Sequence, residues 1–157
     1  MATVHHSSGG KVPWLSLMLA GLIAGLFAAF GPAPEAWVYD RAAIESGDWW
    51  RLISGHWVHS DGAHLGWNLA ALLALGWVVE MRGRRRLIAG LLAGTLGVDL
   101  MLWLVLPELT LYCGLSGVLN SLLLLALASL WQGTTAPVLL ATGSLSLLKV
   151  VSEISAG

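Results

Sequence analysis

Two groups of polar side chains interrupt long apolar runs, and their types could do acyl-transfer chemistry. The first lies in the stretch 54–68, which holds His56, His59, Ser60, Asp61, His64 and Asn68. The second holds Gly114, Ser116, Gly117 and Asn120. His64 and Asn68 stand four residues apart, so on a helix they share one face. A serine hydroxyl, an imidazole and a carboxamide together would supply a nucleophile and donors for a developing oxyanion. Gly114 and Gly117 around Ser116 would leave its Oγ unobstructed and let a neighbouring helix approach.

Each residue also has an ordinary reading. A serine in an apolar helix usually bonds back to the preceding turn, and His64 and Asn68 could simply join helices. His56, His59 and His64 do not form an H-E-x-x-H pattern and have no glutamate beside them to act as a base, so no metal site is expected. The G-x-S-G run is not the hydrolase nucleophile elbow, because Val118 stands where that motif requires glycine. No cofactor is called for.

Lipid is the solvent these elements must cross. Of the 157 residues, 57% are hydrophobic and only 11% charged, against about 25% charged in an ordinary soluble domain. At roughly 20 apolar residues per crossing, the chain holds about five spans. They are expected near 14–30, 62–79, 87–106, 112–131 and 136–151, after a polar tail over 1–12. Residues 13–157 then form one all-α transmembrane domain. The first run exceeds the 7–15 residues of a signal-peptide core, so it reads as a retained helix.

The connection 31–61 mixes prolines, acids, Arg41, Arg51 and four tryptophans, as a structured loop at the membrane interface does. Trp14, Trp77, Trp103 and Trp131 sit where spans should meet headgroups. Arg82, Arg84, Arg85 and Arg86 crowd the turn between the second and third spans. Basic residues at span ends stay cytoplasmic, which places that turn and the N-terminus inside and the 31–61 loop outside. The pairs Gly21/Gly25, Gly62/Gly66 and Gly90/Gly94 have the spacing that lets helices pack closely. Asp99 is the clear intramembrane charge, read as a packing acid or a proton site. No basic block suggests nucleic acid, and the single Cys113 excludes an intrachain disulfide.

Taken in order, the pattern resembles the rhomboid family of intramembrane serine proteases. The resemblance covers about 47–131. It rests on Gly47, Asp48, Trp49, Trp50 and Arg51, then His59 with His64 and Asn68 five and nine residues on, then Gly114, Leu115, Ser116 and Gly117. It implies a rhomboid-like helical bundle with Ser116 as nucleophile. His64, Asn68 and the Ser116 amide would stabilise the oxyanion, Trp50 and Arg51 would belong to a loop half in the membrane, and His59 would be structural.

Small size and the Lys149/Glu153 pair point to the rhombosortase branch of bacterial inner-membrane proteins. The implied partners are lipid and transmembrane protein substrates with a C-terminal glycine-rich sorting signal. The family fold has six helices, with the general-base histidine on the sixth. All five histidines here lie at or before position 64. A sixth helix is therefore expected to be missing and this chain by itself to be inactive, with Asn120 where many relatives have an aromatic residue. A pseudoprotease that binds transmembrane segments without cutting them is the alternative, and an unrelated transporter or scaffold subunit is the third reading.

Overall fold

Residues 12–130 are described by the computed structural model. The expected tail, the fifth span at 136–151 and the Lys149/Glu153 pair lie outside them.

Backbone polar groups have no water to turn to in lipid, so apolar segments close their hydrogen bonds internally as helices. Among the described residues four long helices result: α1 (Trp14–Phe30), α4 (Gly62–Arg82), α5 (Arg84–Leu100) and α6 (Ser116–Leu130). A π-helical segment, Met101–Val105, extends α5 toward Pro107. Two of these, Gly62–Arg82 and Arg84–Val105, are long and apolar enough to cross a membrane, and only 22% of each apolar window is buried within the protein. That small share suits helices facing lipid, as the exposed Trp67, Leu92, Leu96 and Leu104 do.

α4 is the hub, packing on α1, α5 and α6, and α6 also lies against α5. Their shared core holds Ile23, Leu72, Val79, Leu87, Val118 and Leu122. The glycine pairs behave differently from one another. A Cβ on Gly90 would lie 2.5 Å from Leu125 Cδ1, and one on Gly94 2.6 Å from Ser121 Oγ, so these two let α5 and α6 meet. Gly21, Gly25, Gly62 and Gly66 face open space among the described residues. Spacing alone could not separate these cases, because it does not say which face meets a partner.

One arginine fastens the 31–61 loop. Arg51, 9% exposed, donates through Nη1 to the Glu35 and Val38 carbonyls and through Nε to Asp48 Oδ2. Ser54 Oγ and Trp50 Nε1 donate to the Trp37 and Ala36 carbonyls. Two short helices, α2 (Arg41–Glu45) and α3 (Arg51–Ser54), fold within it. A two-residue strand β1 (Tyr39–Asp40) pairs antiparallel with β2 (Leu111–Tyr112), Tyr39 opposite Tyr112. Because Leu111 and Tyr112 are taken by that pairing, the helix anticipated from 112 starts at Ser116. The turn expected to span 81–86 narrows to Gly83 between α4 and α5, where φ of +148° ends one helix and releases the next.

Candidate active site

Ser116 is exposed and is the first residue of α6. Its amide is therefore among the N–H groups that have no acceptor within the helix. The turn before it is held from three sides. Tyr112 is fixed in β2, its hydroxyl donates to the Gly114 carbonyl at 2.8 Å, and the Gly114 amide donates to the Gly55 carbonyl at 2.9 Å. Gly114 has φ of +112°, a conformation that L side chains rarely adopt.

The two residues expected to face Ser116 come from the first turns of α4. Asp61 caps that helix, its Oδ1 accepting from the His64 amide at 2.8 Å. A Cβ placed on Gly114 would lie 2.5 Å from His64 Cε1, 2.6 Å from His64 Nε2 and 3.5 Å from Asn68 Nδ2. Only a residue without a side chain fits there. The structure thus brings His64 and Asn68 against the turn that carries Ser116. Gly117 does the same on the far side, where a Cβ would meet Val98 Cγ2 at 2.7 Å and the Tyr112 hydroxyl at 3.2 Å.

One donor beside this turn is left open. Asn68 is 5% exposed, and its Nδ2 is buried with no partner among the described residues. A buried amide N–H without an acceptor is costly, so its position beside Gly114 matters. Ser60 Oγ donates to Asp61 Oδ2 at 2.8 Å and lies 3.1 Å from His64 Nδ1, so Ser60 and Asp61 orient the imidazole while its Nε2 edge faces Gly114. Asp61 is held below the usual carboxylate range by the His64 amide first and the Ser60 hydroxyl second.

His59 lies behind His64, fully buried, the rings 5.2 Å apart and edge-on. Neither of its nitrogens has a partner among the described residues. Burial, aided by the charge of His64, pushes its pKa down to about 4, so it is neutral at ordinary pH. Trp50 and Arg51 act at a distance. Arg51 shapes the loop whose Gly55 carbonyl receives the Gly114 amide, and Trp50 is exposed on the loop surface.

A second polar pair was only half visible in the sequence. Asp99, the intramembrane acid, accepts from His56 Nε2 at 3.1 Å. His56 is 1% exposed and packs edge-on against Tyr112 at 5.5 Å. Asp99 therefore has its partner in the loop rather than on another long helix. Neither Tyr112 nor His56 could be assigned from spacing, since each acts through a strand or a fold-back.

The comparisons bear on the same residues. A family model described as Rhomboid domain matches residues 46–154, well over half of the chain. No curated protein and no solved structure matches it.

Proposed function

Starting from the fact that the chain belongs to the rhomboid family, whose members are generally membrane-integral serine proteases, we propose that Ser116 is the nucleophile of an intramembrane endopeptidase. In this reading Ser116 Oγ attacks the scissile carbonyl carbon, and the carbonyl π electrons move onto oxygen. The resulting oxyanion takes hydrogen bonds from the Ser116 amide, Asn68 Nδ2 and the His64 imidazole. Collapse of that intermediate breaks the C–N bond, the Oγ proton passes through water or an added base to the departing amine nitrogen, and a water molecule later hydrolyses the acyl-serine to a carboxylic acid and the free hydroxyl. The observation that carries this reading is the buried Asn68 Nδ2, which has no partner among the described residues and lies against Gly114, two residues before the serine that opens α6.

The Oγ proton needs a base, and no histidine follows Ser116 in these 157 residues. This chain by itself is therefore expected to acylate slowly, roughly 10³-fold or more below a complete dyad. The finer reading is a rhombosortase-type enzyme of the bacterial inner membrane, N-terminus cytoplasmic. Its substrates would be transmembrane proteins with a glycine-rich C-terminal signal. The small frame around the helices and the arginine turn support it.

Labelling with an alkyl fluorophosphonate, with and without added imidazole, tests the nucleophile. Slow labelling that imidazole accelerates and Ser116→Ala abolishes is the expected result. Labelling that survives Ser116→Ala removes Ser116 from the role. No labelling under any condition favours a relative that binds transmembrane segments without cutting them.

A further inference from the structure

The arginine turn lies at the far end of the bundle from Ser116, and it is more than a topological signal. A cavity of about 430 Å³ opens there, lined by Val12, Trp14, Glu80, Met81, Arg82 and Arg84. Arg82, Arg84, Arg85 and Arg86 are all exposed around Gly83. Among the described residues the one acid lining the cavity, Glu80, carries a single charge against these four arginines. Glu80 is buried, and its carboxylate is already occupied by the start of α1. Oε1 accepts from the Leu15 amide at 3.0 Å, and Oε2 accepts from the Ser16 amide and hydroxyl at 2.8 and 2.9 Å. Arg84 Nε reaches Glu80 Oε1 at 3.5 Å, but Arg84 remains 65% exposed. Two guanidinium groups, Arg82 and Arg84, therefore line the cavity beside a carboxylate already bonded to α1, with Arg85 and Arg86 exposed nearby.

The cavity wall is mixed in a way that suits one kind of ligand. Guanidinium groups bind phosphate oxygens with two parallel N–H bonds. Val12, Trp14 and Met81 offer exposed apolar surface beside them, 44%, 57% and 37% exposed. Trp77, one helical turn before Met81, is 56% exposed and extends that surface along α4. A free phosphate would use the arginines and leave the apolar wall bare. A phospholipid uses both, with its headgroup on the arginines and its acyl chains along α4.

From charge complementarity and this apolar continuation, we infer that the cavity between the start of α1 and the Gly83 turn binds the phosphate of an anionic glycerophospholipid. Arg82 and Arg84 are its direct ligands, while Arg85 and Arg86 add long-range attraction. The inference is independent of whether Ser116 cleaves anything.

Native mass spectrometry of the detergent-solubilised protein with phosphatidylglycerol or phosphatidylcholine reads the site directly. Phosphatidylglycerol is expected to be retained at least about tenfold better than phosphatidylcholine. The variant Arg82→Gln/Arg84→Gln is expected to lose about tenfold of that retention, and Arg85→Gln/Arg86→Gln no more than about threefold. Arg82→Gln alone, which leaves the Arg84–Glu80 pair intact, should weaken retention without lowering the melting temperature. Equal retention of the two lipids overturns the inference. So do equal losses in the two double variants, since they would show diffuse attraction only. Displacement of phosphatidylglycerol by millimolar inorganic phosphate makes the site one for free phosphate and overturns the lipid assignment.

Discussion

At the residue scale, the chemistry turns on side chains whose hydrogen bonds are left open. Asn68 is the clearest. Replacing it with alanine removes a buried donor that has no partner, so stability should change little, within about 1 kcal/mol. Loss of an oxyanion donor should slow imidazole-assisted acylation of Ser116 by about 10²-fold or more. Thermal melting beside fluorophosphonate labelling kinetics separates the two, and a large melting shift with unchanged labelling would refute the assignment.

His59 gives a pH dependence of definite sign. Its folded pKa, about 4, lies below the usual value of 6.5, so the unfolded chain binds the extra proton first as pH falls. Stability is then complete above about pH 6.5 and declines toward pH 4. Melting temperatures across that range should fall with acid, and His59→Phe should flatten the slope.

Elements convert these residues into a site. The loop reaches the serine through backbone, from Arg51 to the Gly55 carbonyl to the Gly114 amide. It reaches α5 through the His56–Asp99 pair. Asp99→Asn leaves buried His56 without its carboxyl partner and should cost about 1–3 kcal/mol, readable by urea or thermal unfolding in micelles.

The α5–α6 contact gives a paired test. Gly94→Val would push a side chain into Ser121 Oγ and the Val118 carbonyl, with an expected loss of about 1–3 kcal/mol. Gly21→Ala meets nothing within 4 Å among the described residues, so it should be neutral or stabilising by up to about 1 kcal/mol. A Gly21→Ala loss as large as that of Gly94→Val would mean that α1 packs on its glycine face.

For the whole molecule, sidedness is the decisive property. The β1–β2 pairing ties the loop to the stretch before Ser116, so positions 60 and 110 belong at one end of the bundle. Arg85 lies at the other end of α4 and α5. With Cys113 replaced by alanine, an impermeant maleimide should modify Ser60→Cys and Thr110→Cys from one side of the membrane and Arg85→Cys from the other. Modification of positions 60 and 110 from opposite sides would break the proposed active centre.

The sequence by itself determined the solvent and the class of fold. Mean hydropathy of +0.76 and runs of apolar residues are local properties that survive without any contact. It also singled out Ser116, His64 and Asn68, because polar groups stand out against lipid. Only the tertiary structure decided that Gly114, through its missing side chain, is where His64 and Asn68 meet the turn before Ser116. The fold alone also decided that Asp99 answers His56, that Leu111 and Tyr112 form a strand, and that among the described residues the Gly90/Gly94 pair lies at a helix contact. Those outcomes depend on which faces meet and at what angle. That is a relation between distant segments, which spacing within any one of them cannot encode.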